Sequence, residues 1–322
     1  MRPSIQRILG MTVMAFFAFG CQNFQEESPV MNQFPEENSA FASSEFDPNA
    51  RKGNFPEFGA FLTGSEEVPA VNSPGAGAAR ISQIDANTLK FEIRVANTSG
   101  IAAAHLHFAS AGMNGPVVVS LFSAPSPTGL VNGVVAEGMI VAADLVGPFS
   151  GKTIRDLIKE FEAGKIYVNL HTSTNPGGEL RGQVSGIMAN DNKNYNSKLS
   201  GANEVPAVST SATGIAKFNF NQDTSMATFQ VNVDGLSDVR FAHIHFAKPG
   251  VNGPVVYTLR MDKVEGPVSG VYAKGEIMPS MFSGKMTGGD LIILREAFRT
   301  GNAYVNVHTD QFPGGELRGQ IN

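Results

Sequence analysis

Leu89-Lys90-Phe91-Glu92-Ile93-Arg94-Val95 alternates apolar and charged residues without a break. Period two predicts a half-buried strand with Leu89, Phe91, Ile93 and Val95 toward a core. Phe229-Gln230-Val231-Asn232-Val233-Asp234 alternates in the same way. Short apolar runs predict further strands near 58–63, 77–83, 102–108, 116–122, 134–141, 166–171 and 179–185. Eight short strands broken by Gly, Pro, Asn and Ser suggest a Greek-key β-sandwich. One segment departs from period two. Ile154, Leu157, Ile158 and Phe161 follow helical spacing, with Gly164 as a stop, and Leu291, Leu294 and Phe298 before Gly301 repeat it. The expected class is therefore all-β, with one short helix covering an end or edge of each sandwich.

The pattern is duplicated along the chain. Leu62-Thr63-Gly64 returns as Leu199-Ser200-Gly201, and Glu67-Val68-Pro69-Ala70 as Glu204-Val205-Pro206-Ala207. Asn114-Gly115-Pro116-Val117-Val118 returns as Asn252-Gly253-Pro254-Val255-Val256. Pro176-Gly177-Gly178-Glu179-Leu180-Arg181-Gly182-Gln183 returns as Pro313-Gly314-Gly315-Glu316-Leu317-Arg318-Gly319-Gln320. The offset is 137 or 138 residues throughout. That is too long for a solenoid repeat and about the size of one domain. Two tandem domains are expected, over 54–188 and 191–322, each with its own core. The polar stretch Asn190-Asp191-Asn192-Lys193-Asn194 is the joint.

All six histidines fall inside this duplication, in equivalent triplets. His105, His107 and His171 form the first, and His243, His245 and His308 the second. Residues i and i+2 of a strand share a face about 7 Å apart. His105 and His107 therefore project together, with Leu106 and Phe108 opposite. Tyr167, Asn169 and His171 share a face for the same reason. If the two strands are neighbours, three imidazoles converge. Copper or zinc accepts imidazole nitrogen, and three such ligands leave one position open. Asn169 and Asn306 are candidates to fix ring orientation. Another reading is a purely structural cluster, hydrogen-bonded to backbone carbonyls and to those asparagines. A catalytic histidine is a third, with no Ser or Cys nucleophile in a recognisable frame.

Glu179 and Arg181 flank Leu180 and share a face, as do Glu316 and Arg318. The simplest expectation is a surface or rim ion pair. The functional alternative has them orient a ligand near the histidines. Asn114-Gly115-Pro116 and Pro176-Gly177-Gly178 read first as turns. No dinucleotide, phosphate-loop, nucleophile-elbow, zinc-protease or calcium-loop pattern occurs, and no enzymatic constellation emerges.

The early L-[TS]-G…E-V-P-A, the H-x-H…N-G-P-V-V segment and the closing Y-V-N-x-H-T…P-G-G-E-L-R-G-Q together resemble the CHRD domain, the module named after chordin. The resemblance covers nearly everything after the N-terminal tail. It implies a fold family and names no activity. A weaker resemblance is to the copper-zinc superoxide dismutases, which are Greek-key sandwiches with an H-x-H strand and a later strand histidine at copper. Ala104-His105-Leu106-His107 and Ala242-His243-Ile244-His245 look like that strand. Arg181-Gly182 and Arg318-Gly319 look like the end of that pattern. The metal-bridging histidine, the zinc loop and the structural disulfide have no counterpart here. The leading expectation is a non-catalytic, cell-envelope binding module. The alternative is a copper- or zinc-dependent redox or hydrolytic enzyme.

Composition adds the compartment. Arg2 and Arg7 precede a short apolar stretch, Ile8 to Phe19, followed by Gly20-Cys21. The run is too short to span a bilayer and suits a signal peptide over 1–20. Cys21 is the sole cysteine and resembles the lipidation cysteine of bacterial lipoproteins. Ala18 and Phe19 depart from the usual box, and ordinary signal cleavage is the alternative. Residues 21–53, rich in Glu, Asn, Ser, Pro and Phe without periodicity, read as a disordered tether. These features imply export and a lipid anchor in a bacterial cell envelope, with an unspecified protein or envelope ligand as partner. The formal net charge is −5. With no basic cluster, nucleic-acid binding has no electrostatic footprint.

Overall fold

The alternation in Leu89–Val95 is carried into three dimensions directly. Leu89, Phe91, Ile93 and Val95 are at most 5% exposed, whereas Lys90 faces solvent. The computed structural model describes residues 55–187 and 193–322. The leader, Cys21, the tether and most of the polar joint lie outside the described residues.

The first repeat contains β1 (Glu57–Leu62), β2 (Ala76–Asp85), β3 (Thr88–Ser99), β4 (Ile101–Phe108), β5 (Val117–Ser123), β6 (Leu130–Ile140), α1 (Ile154–Glu162), β7 (Ile166–Thr172) and β8 (Leu180–Gln183). A short β9 (Ser185–Ile187) follows and pairs with β1. One sheet runs β6-β3-β2-β1-β9 and the other β5-β4-β7-β8. β6 returns beside β3 and β7 beside β4, the Greek-key crossing expected of this strand pattern. Leu62, Ile93, Leu106, Val168, Leu170 and Leu180 close the core between the two sheets.

The second repeat is built alike from β10 (Asn194–Ser200), β11 (Thr213–Phe220), β12 (Ala227–Phe246), β13 (Val255–Arg260), β14 (Val264–Glu276), α2 (Leu291–Arg299), β15 (Ala303–Thr309) and β16 (Leu317–Gln320). Here β12 is one 20-residue strand that pairs first with β11 and β14, then with β13 and β15. It does the work of β3 and β4 together. The bend between sheets needs two positive-φ residues. Asn97 (φ 49°) and Gly100 (φ 70°) supply them in the first repeat, and Gly235 (φ 73°) and Asp238 (φ 52°) in the second. Gly, Asn and Asp are the residues that tolerate this region at least cost, so the chemistry is kept while the identities trade places.

Both helices start on a side-chain cap. Thr153 and Asp156 exchange bonds with each other's backbone N–H, and the Asp290 carboxylate accepts from Ile292 N and Ile293 N. Both stop at a positive-φ glycine, Gly164 or Gly301. α1 buries Ile154, Leu157, Ile158 and Phe161 only. α2 buries seven of its nine residues, because its second face lies on β1 and β2 of the first repeat. The bed for it is made of small residues, among them Gly59, Ala76, Ala78 and Ala96. Each repeat thus has its own core, but the second is continued by Phe61, Ala76, Ala78 and Ala96 of the first. Sequence periodicity does not reveal this sharing, since it registers only the inner face of a strand.

Candidate metal centres

The β4–β7 register sets His105 opposite Asn169 and His107 opposite Tyr167, and places Ala103 opposite His171. Leu106, Val168 and Leu170 point to the core, so the histidines share the outer face of this sheet. One ring nitrogen from each of His105, His107 and His171 lies within 4.8 Å of the other two. The same holds for His243, His245 and His308.

Backbone carbonyls fix the rings. His107 Nδ1 meets the Gly115 carbonyl at 2.9 Å and His171 Nδ1 the Pro176 carbonyl at 3.0 Å. His245 and His308 meet Gly253 and Pro313 at 2.9 Å each. A carbonyl oxygen only accepts, so each Nδ1 carries the proton and each Nε2 presents a lone pair. Those Nε2 atoms, with Nδ1 of His105 and of His243, are buried and have no hydrogen-bond partner in the protein. Every triplet therefore offers two Nε2 atoms and one Nδ1 atom. Burial pushes all six histidines below their ordinary pKa. For His105, His243 and His245 the value falls to about 4, with charge on the neighbouring histidines adding to the effect of burial. Neutral imidazole is the metal-binding form.

The asparagines expected to orient the rings do something else. Asn169 donates to the Gly177 carbonyl at 3.4 Å, and Asn306 donates to Glu204 at 3.1 Å. Both lie against a buried glutamate, Glu67 or Glu204, whose carboxyl burial raises to about 7 against the pull of Arg181 or Arg318. Gly178 (φ 134°) is needed here, because a Cβ would sit 2.5 Å from the Asn169 amide and from Glu67. Glu67 and Glu204 were not among the sequence candidates. Their signal was the second occurrence of Glu-Val-Pro-Ala.

The expected surface pair of Glu179 with Arg181 is corrected. Glu179 is 5% and Arg181 1% exposed, and the two are bound separately. Glu179 accepts from Ser73, Thr172 and Asn175, which ties the loop after β7 to the strand. Arg181 donates to the Asn114 side chain and the Met113 carbonyl, with its guanidinium 3.5 Å from the Tyr167 ring centroid. Tyr167 in turn stacks on His107, centroids 4.9 Å apart. Since β7 lies between β4 and β8, Tyr167 stands between the cation and the imidazole. Arg181 thus acts on the site through Tyr167, lowering the His107 pKa by its charge, and not by pairing with Glu179. Arg318 repeats the arginine network, and Glu316 repeats the two hydroxyl contacts through Thr210 and Thr309, with Phe312 standing where Asn175 donates in the first repeat.

Asn114 and Gly115 are tied into the site on both sides. Asn114 bridges Arg181 to the Val68 carbonyl. Gly115 donates its N–H to Tyr167 Oη and receives His107 at its carbonyl. The loops carrying the longest repeated stretches all meet over one sheet face. The CHRD domain family model matches residues 58–184 and 195–321. The chain belongs to the CHRD family. Its two CHRD repeats bracket the two histidine triplets, one in each. No curated protein matches the chain. Among the described residues, no helix is long and apolar enough to cross a membrane.

Proposed function

We propose that this CHRD protein is a non-catalytic metal-binding module that holds one copper or zinc ion at each histidine triplet. One observation carries the reading. Three buried ring nitrogens converge without a hydrogen-bond partner while two of the rings are oriented from behind by carbonyls. A hydrogen-bonded structural cluster would satisfy the inner nitrogens as well, because an unmet buried acceptor costs about 1–3 kcal/mol. An ion shared by the three offsets that cost, and imidazole suits copper and zinc. Carbonyl-held Nδ1–H is the usual support behind such a ligand.

Equilibrium dialysis of the chelator-stripped chain against copper or zinc, followed by elemental analysis, tests this. Two ions per chain are expected, one in His107→Ala or His245→Ala, and none in the double variant. Retention of no metal by the wild type would return the triplets to a structural role.

The competing reading, a redox or hydrolytic metalloenzyme, draws on the coordination position that three ligands leave free. Superoxide dismutation and ester hydrolysis by the loaded chain decide it: turnover abolished by His105→Ala would establish catalysis. The leader and lone Cys21 support export and lipid anchoring in a bacterial cell envelope. Cys21→Ala is expected to move the protein from the membrane to the soluble exported fraction.

A further inference from the structure

The two triplets are not surrounded alike. In the second repeat Phe241 lies directly opposite His308 across the β12–β15 ladder. Its ring stacks on His243 with centroids 4.9 Å apart and 29° between planes, and stands 4.7 Å from the His308 ring. The same place in the first repeat, opposite His171, is held by Ala103. A methyl group cannot cover two imidazoles. His308 is buried at 7% exposure, whereas its counterpart His171 is half-buried. The other flank of each site is the same. Tyr167 stacks on His107, and Tyr304 on His245, at 4.9 and 4.8 Å.

Taking the histidine triplets as metal sites, we propose that Phe241 is a gate that closes the second site to exogenous ligands, while Ala103 leaves the first site open to small anions and neutral donors. The first ion is then exchangeable and ligand-accepting. The second is sequestered, bound by the three histidines beneath an aromatic ring. The chain would hold one reactive and one protected ion on nearly identical donor sets, and the difference rests on one side chain.

Full-length chains with a single working triplet separate the two. His308→Ala leaves the first site and His171→Ala the second. Each is loaded with copper(II), its metal content measured, and titrated with azide, read by the charge-transfer band and the copper electron paramagnetic resonance signal. Azide binding at the first site is expected to be at least about tenfold tighter than at the second. Phe241→Ala in the His171→Ala background is expected to bring the second site to the affinity of the first. Ala103→Phe in the His308→Ala background is expected to weaken the first by a similar factor. Equal azide affinity at the two copper-loaded sites, or no effect of Phe241→Ala on a site that retains copper, overturns the gate and leaves metal binding standing. Failure of the parent chain to retain copper at either triplet overturns both.

Discussion

α1 and α2 occupy the same place in their repeats, 137 residues apart, and face different worlds. Their inner faces match: Leu157 with Leu294, and Phe161 with Phe298, all at most 1% exposed. Their outer faces do not. Asp156, Lys159 and Glu160 of α1 reach solvent. The corresponding Ile293, Glu296 and Ala297 of α2 are at most 1% exposed, because the first repeat covers them. A duplicated fold keeps what its own core and site demand and changes where each copy meets a different neighbour. Phe241 against Ala103 is a difference of another kind, since it lies at the histidines themselves and not where the repeats meet.

The largest break in this comparison is Glu296→Ala. Glu296 lies 2.8 Å from Arg299 and 3.7 Å from Arg80. Its removal leaves the Arg299 side chain, 9% exposed, with no carboxylate beside it among the described residues, and with Ser185 and the Gly186 carbonyl as its remaining acceptors. Stripping one partner from a buried pair costs about 3–5 kcal/mol. Lys159→Ala, at the matching position of α1, changes stability by no more than about 0.5 kcal/mol. Urea unfolding of both variants measures the contrast. Similar losses would mean that α2 is not held between the repeats.

Metal comes next. An ion that binds only the folded chain stabilises it by about 2.7 kcal/mol when present at 100 times its Kd. Copper or zinc added to stripped protein is expected to raise the unfolding midpoint of the wild type. His107→Ala and His245→Ala should each keep part of that rise, and the double variant none. A full rise in the double variant would place the ion elsewhere.

The strands, the helices, the duplication and the grouping of the histidines could all be read from the chain, because period two, period 3.6 and repetition are local properties. The i, i+2 rule brought His105 to His107, and the Tyr-Val-Asn-x-His strand brought in the third ring. What escaped was set by cross-strand neighbours. Arg181 looked like a surface cation because alternating charged residues usually are. It is buried since Asn114, Met113 and Tyr167 supply a socket from two other segments. Backbone carbonyls were expected as partners of the rings, but which ones escaped, because no side-chain pattern advertises the carbonyls of Gly115, Pro176, Gly253 and Pro313. Phe241 escaped because only a register against His308 gives it meaning.

Acid sharpens the contrast between sites by a smaller amount. A histidine whose folded pKa lies below its unfolded value binds fewer protons folded than unfolded in the interval between them. Its contribution is fully present above the unfolded value of 6.5 and is lost as pH falls toward about 4 for His105, His243 and His245. Glu67 and Glu204, raised from 4.5 to about 7, act oppositely, with stability lost as pH rises through 7. Six histidines against two glutamates make acid the destabilising direction for stripped protein between pH 6.5 and 4. His245→Asn is expected to flatten that slope more than His107→Asn, because His245 is the more strongly depressed of the two. Urea midpoints across this window check it. A slope unchanged by either substitution would show that other groups set the acid response.

The smallest expected effect lies at an exposed ion pair between the repeats. Lys248 of the second repeat pairs with Glu66 of the first, near the cleft where Phe61 and Phe246 meet edge to face at 5.0 Å. Neither charge has a duplicate, since the matching positions hold Ser110 and Asn203, so neither repeat's own fold requires the pair. The Lys248 side chain is 58% exposed, and water and salt screen such a contact. Exposed pairs contribute about 0.2–1 kcal/mol, well below the buried Glu296 cluster on the same interface. Lys248→Ala is therefore expected to cost about 0.5 kcal/mol at low ionic strength and almost nothing in 1 M salt. A double-mutant cycle with Glu66→Gln reads the coupling free of other losses. Coupling that survives 1 M salt undiminished would mean that the two repeats close over this pair more tightly than its exposure allows.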